Sequence, residues 1–212
     1  MAISLENFQL AVTRVGGGRA DDTHALLMAA WSEPHRRYHQ LQHLEEGVTL
    51  AGQWGGRLGP FWRGLLVLGY WFHDAVYDPR GTDNELKSAE LARVELAKLG
   101  VPTPAQDRVA ALVMATAHGS TAHSSSGDFL ADLLVDIDLA IMGASPERFA
   151  QYEAQVRDEY GFVDDEAYAI GRGKVMGHFS ELAFGDPSTL YRTGYGRTLL
   201  APARVNLAKY RH

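Results

Sequence analysis

At 212 residues, with 46% apolar and 22% charged side chains, the chain is long enough for one sizeable core and has the balance of an ordinary globular domain. A formal charge of −6 argues against nucleic-acid coating, although it leaves room for a local basic pocket holding one phosphate group. The absence of cysteine excludes disulfides, thiolate zinc sites and a cysteine nucleophile, so any metal must be held by His, Asp, Glu and water.

The N-terminus, Met1-Ala2-Ile3-Ser4-Leu5-Glu6, lacks a basic start and a long apolar stretch, and no run approaches the length needed to span a bilayer. A cytoplasmic protein with no membrane partner is therefore expected. Apolar residues at three-and-four spacing predict helices at 4–14, 22–31, 34–53, 60–77, 84–99, 104–118, 128–142, 146–159 and 165–184, with a short one near 202–210. The N-cap candidates in chain order are Ser4, Asp22, Ser32, Asp83, Thr103, Asp128 and Ser145. After Ser32, Thr103 and Ser145 a proline falls in the first turn, where its missing N–H costs nothing. Almost no segment alternates with period two, so the fold class expected is all-α, a single-domain helical bundle.

Gly16-Gly17-Gly18, Gly55-Gly56 and the polar stretch 120–127 read as connections, since none lies between a strand and a helix as a phosphate loop does. With no internal repeat or linker, residues 1–212 are expected to form one domain. Its metal-binding core spans about 32–142, with the C-terminal helices of 146–212 packing on it. The turn-rich segment after Gly185 is expected to wrap the bundle before the last helix.

The chemistry concentrates in three places. His73-Asp74 ends the apolar run Leu65-Leu66-Val67-Leu68-Gly69-Tyr70-Trp71-Phe72, and burying an imidazole beside a carboxylate is unfavourable unless something satisfies both. A lone His-Asp dipeptide carries little information: nine His and fourteen Asp in 212 positions give about 0.6 such pairs by chance. His35, His39 and His43 recur every four residues, which places them along one face of the predicted helix 34–53. Any one of them alone could be a hydrogen-bonded core histidine. Third, Asp136 and Asp138 interrupt the apolar Leu134–Ile141 run and point about 200° apart on a helix, so they cannot both face one ion. Asp138, with Leu134, Ile141 and Met142 on its face, reads as core-facing. Asp136 then supports the site or anchors a neighbouring helix, and a buried acid paired with an arginine is the alternative.

Together these elements resemble the HD superfamily of metal-dependent phosphohydrolases, whose pattern is a His, then a His-Asp pair, then a distant Asp, all on helices. Tyr38-His39-x-x-x-His43 is similar to the same stretch in the cyclic-nucleotide phosphodiesterases of that superfamily. A closer resemblance is to a bacterial subgroup of predicted HD-type hydrolases. It is carried by Ser32-Glu33-Pro34-His35-Arg36-Arg37-Tyr38-His39, Trp71-Phe72-His73-Asp74-Ala75-Val76-Tyr77-Asp78 and Asp83-Asn84-Glu85-Leu86-Lys87-Ser88-Ala89, and by Asp136-Ile137-Asp138-Leu139, Arg157-Asp158-Glu159-Tyr160 and Ala203-Arg204-Val205-Asn206-Leu207. The resemblance implies an HD-type helical bundle with His43, His73, Asp74 and Asp138 as ligands of a divalent metal (Mn, Fe, Co, Ni, Zn or Mg), and His39 as a general acid or phosphate contact. The expected activity is phosphohydrolysis of a small phosphoester or nucleotide by a metal-activated water, with Asp74 also orienting that water.

Glu85 opens the helix after the His-Asp loop, where related hydrolases often use a catalytic acid, although the helix dipole favours an acid there in any case. His118 in Thr116-Ala117-His118 could contact substrate or a second metal, or simply cap a helix. Arg36, Arg157, Arg172 and Lys174 are the candidate phosphate contacts, each with a structural ion pair as the alternative, and Arg204 reads as a staple for the last helix. A homodimer is compatible with this reading. Two other functions stay open: a non-catalytic metal- or nucleotide-binding module, and a di-iron HD-type oxygenase, which would need extra ligands such as Glu85 or His118.

Overall fold

The computed structural model describes residues 1–117 and 127–211. Twelve α-helices and three short 3-10 turns make up its regular structure, with no strand among the described residues, so the fold is all-α. The chain divides into two compact units, Met1–His118 and Gly119–His212.

The first unit contains α1 (Leu5–Arg14), α2 (Asp21–Ala30), α3 (Leu41–Trp54), α4 (Pro60–Phe72), α5 (Asn84–Lys98) and α6 (Thr103–Met114). Helix α4 is the axis. Proline at its first position starts it, and every residue from Gly64 to Phe72 is buried. An apolar helix with no polar face must be surrounded, and α1, α3 and α6 pack against it while α5 lies mainly on α6. Full burial of Leu65, Leu66, Leu68, Trp71 and Phe72 contributes about 1.5–3 kcal/mol for each side chain.

Two of the helices that depart from the sequence reading share one cause. The predicted helix 34–53 begins at Leu41, and the predicted helix 60–77 ends at Phe72. Ser32 caps nothing; its hydroxyl donates back to the Met28 carbonyl. The connection it opens is held by Arg36, whose guanidinium donates to the carbonyls of His39 (3.1 Å), Asp74 (2.7 Å) and Ala75 (3.1 Å). Those carbonyls are thereby satisfied without helical partners on either segment. Beyond Ala75 the backbone is pinned to α5 instead, with Val76 N–H donating to Ser88 Oγ and Asp78 N–H to Asn84 Oδ1. At α6 the Pro102 carbonyl, not the Thr103 side chain, receives the first N–H groups, so the helix starts one residue early; it also stops at Met114, short of 118.

The second unit contains α7 (Phe129–Asp138), α8 (Pro146–Glu159), α9 (Asp165–Phe184), the one-turn helices α10 (Pro187–Leu190) and α11 (Gly194–Arg197), and α12 (Leu200–Leu207). Asp128, Ser145 and Asp164 cap α7, α8 and α9 through their side chains. Helix α12 packs on α9 and on the 3-10 turn Leu139–Gly143. As the sequence led us to expect, Arg204 staples α12, its Nε donating to the Ala183 carbonyl at 2.7 Å. No helix among the described residues is long and apolar enough to cross a membrane.

Candidate metal centre

Helix α4 carries its apolar face to Phe72 and delivers His73 as the residue that closes it, 1% exposed. The His73 Nδ1 lies 2.7 Å from the Tyr70 carbonyl oxygen. A carbonyl can only accept, so Nδ1 carries the proton and Nε2 is left with its lone pair. Packing of α3 on α4 brings His43, 3% exposed, to the same point, with its Nε2 3.3 Å from His73 Nε2. Asp74 Oδ2 stands 3.1 Å from His73 Nε2 and 3.9 Å from His43 Nε2.

These separations fit one ion. Two imidazole nitrogens each about 2.0–2.1 Å from a metal, at a near-tetrahedral angle, stand about 3.3–3.4 Å apart. The donor types are also suitable, since imidazoles and a carboxylate close together in a largely buried place could hold a cation. His43 and His73 belong to a group of side chains that could hold a metal ion. The surroundings are aromatic: Trp31 lies with its ring centroid 5.5 Å from His73 and donates its indole N–H to the Trp71 carbonyl, and Tyr38 sits 4.7 Å from His43. Asp74, at 15% side-chain exposure, is the member that reaches solvent.

His35, His39 and His43 do not share a helix face, because residues 32–40 are an irregular connection. His43 alone is helical. His39 is half-buried, stacked on Tyr77 with ring centroids 4.1 Å apart and edge-on to His43 at 5.8 Å, so it stays beside the centre. His35 is exposed and its Nε2 meets the Tyr77 carbonyl at 2.8 Å. Arg36, 3% exposed, braces the loops that carry His39 and Asp74; its donors go to backbone carbonyls and to Glu33, which leaves it a bracing role in place of an open fork for phosphate. Glu85 is half-buried in the first turn of α5. His118 lies outside the described residues.

In the second unit, Asp138 is the last residue of α7 and half-buried. Asp136 is fully buried and structural. Its Oδ1 accepts from the Arg192 N–H (2.8 Å), and its Oδ2 from the Thr193 N–H (2.7 Å) and Thr193 hydroxyl (2.6 Å). Burial raises its pKa, and the donors of Thr193 and Arg192 pull the other way. Gly196 lets the chain come this close, since a Cβ there would fall on the Asp136 carboxylate. Arg172 pairs with Glu153 and lies over the Tyr152 ring, Lys174 on the same helix is exposed, and Arg157 ties the end of α8 to Tyr160, Val163 and Asp165.

Tyr70 and Trp31 were not among the sequence candidates. Both sit in apolar runs that read as core, and a hydroxyl three residues before the His-Asp pair was the one available signal. Comparison of the chain with models of known protein families, with curated proteins and with solved structures gives no match.

Proposed function

We propose that this chain is a metal-dependent phosphohydrolase of HD type, acting on a small phosphoester or nucleotide as a cytoplasmic enzyme. The observation that supports it most is the convergence of His43 Nε2, His73 Nε2 and Asp74 Oδ2 at metal-ligand spacing. Asp138 is proposed as a fourth ligand on the strength of the sequence pattern. A bound divalent ion would supply acidification of a coordinated water and withdrawal of charge from a phosphoryl oxygen.

The chain's own residues have the remaining tasks. His43 and His73 would hold the ion as neutral donors from two packed helices, which would fix its place. Asp74 is bound on one side and solvent-facing on the other, so it can orient an attacking water. His39, stacked on Tyr77 and edge-on to His43, is placed to give a proton to the leaving oxygen. Glu85, at the mouth of α5, is proposed to position water.

The test is phosphate release from a panel of nucleotides and generic phosphoesters with added Mn²⁺, Co²⁺, Ni²⁺ or Mg²⁺, comparing the natural chain with Asp74→Ala. Metal-dependent turnover that falls about 100-fold or more in the variant is expected. Absence of metal-dependent turnover on every substrate would overturn the proposal.

A further inference from the structure

Helix α9 is buried along its second half only. Its buried residues, Met176, Gly177, Phe179, Ser180 and Ala183, all follow residue 175, and none of residues 165–175 is buried. Those first three turns are held along one edge, by Tyr168 beneath the Arg157 guanidinium and by Arg172 paired with Glu153. The opposite edge is open. At 3.6 residues per turn, Glu166 and Lys174 lie about 40° to either side of Ile170, and Ala167 and Gly173 about 60° to either side. Glu166, Ala167, Ile170 and Lys174 are exposed, Ile170 at 55%, and Gly173 is half-buried.

Two details of this face have no use inside the chain. Neither Glu166 nor Lys174 has an ion-pair partner among the described residues, and at about 12 Å apart along the axis they cannot pair with each other. Gly171 and Gly173 weaken an exposed helix, yet a Cβ at either would meet nothing within 4 Å and neither has a positive φ, so the fold itself does not require them. What a glycine on an open helix face allows is the close approach of a second backbone. We propose that this face of α9 is where two copies of the chain meet, their α9 helices crossing antiparallel at Ile170 so that Glu166 of each stands beside the partner's Lys174. This does not rest on the metal-centre reading.

The face is its own complement. Reversing the helix about Ile170 exchanges Glu166 with Lys174 and Ala167 with Gly173, as a two-fold contact requires, because it uses one patch on both subunits. Glu166, Ile170 and Lys174 form a ridge at four-residue spacing, flanked by the low rows Ala167–Gly171 and Ala169–Gly173. The ridge of each copy therefore has a groove to enter at the commonest helix crossing, about −50°. A parallel pairing would instead set Glu166 against Glu166 and Lys174 against Lys174. Three turns of helix bury less than about 1,200 Å², the lower end of standard interfaces, so the dimer is weak and forms with rising concentration.

The test is sedimentation velocity on the full-length chain from about 1 μM to about 1 mM, the range in which a weak dimer forms. The natural chain is expected to pass from monomer to dimer. Ile170→Asp should raise the dissociation constant about tenfold or more without lowering the thermal midpoint of the monomer, since the residue is exposed. Glu166→Lys and Lys174→Glu should each weaken self-association, because each sets like charges side by side. An equimolar mixture of these two variants should dimerise more tightly than either alone, and the double variant Glu166→Lys/Lys174→Glu should recover the natural dimer. A natural chain that stays monomeric throughout would overturn the proposal, and so would a dimer that Ile170→Asp leaves intact. A mixture no tighter than the separate variants would overturn the antiparallel pairing.

Discussion

His73 and Asp74 are neighbours in sequence but are held by different means. The imidazole is oriented by a carbonyl of its own helix, three residues back, whereas the Asp74 backbone is fixed by Arg36, which comes from 38 positions earlier. Asp136 is held in a comparable way in the second unit, as the acceptor for three donors of Arg192 and Thr193. Removing that carboxylate leaves buried donors without partners, at about 1–3 kcal/mol each when none is replaced by water. Asp136→Ala is therefore expected to lower stability by about 3 kcal/mol or more, read from the midpoint of urea denaturation. A loss under about 1 kcal/mol would mean that the segment around Thr193 is held by something else.

At the scale of elements, Arg36 decides where two helices stop and start. Arginine's planar fork reaches three carbonyls on two strands of chain at once, and a lysine ammonium on the same stem lacks that geometry. Arg36→Lys should cost about 2–4 kcal/mol and speed amide hydrogen exchange in the 32–40 connection and in residues 74–78, with α3 and the middle of α4 staying protected. Uniform loss of protection across the first unit would instead indicate that Arg36 holds the whole unit together. The helix bodies were legible in the sequence because their causes are local. A proline behind Ser145, a capping aspartate at 128 and the three-and-four spacing of Met176, Phe179 and Ala183 in the second half of α9 are each written within one or two turns. The 32–40 segment carries similar local signals, a serine and then a proline, and reads as a helix for that reason. It is not one because the competing hydrogen bonds are contributed by a side chain folded against residues 74 and 75.

For the molecule as a whole, an ion at the proposed centre would link metal binding to stability. An ion that binds the folded first unit and not the unfolded chain stabilises it by RT ln(1 + [L]/Kd), about 2.7 kcal/mol at a hundredfold excess over Kd. Thermal unfolding with Mn²⁺ or Co²⁺ at that excess should therefore shift upward, and a chelator should return it to the metal-free midpoint. Asp74→Ala should remove most of the shift, while a shift that survives in this variant would place the ion elsewhere.

By itself the sequence determined the all-α class, the positions of the main helices and the residue types that gather around His73-Asp74, since caps, prolines, helical spacing and adjacent ligands act over a few residues. Tertiary structure decided the rest. It ended α4 at Phe72, took His35 and His39 off the helix of His43, gave Arg36 to backbone carbonyls, and set the Tyr70 hydroxyl against His43. Each of these depends on a hydrogen bond or a close approach between residues 27 to 39 positions apart, and such contacts leave no periodic trace in the chain.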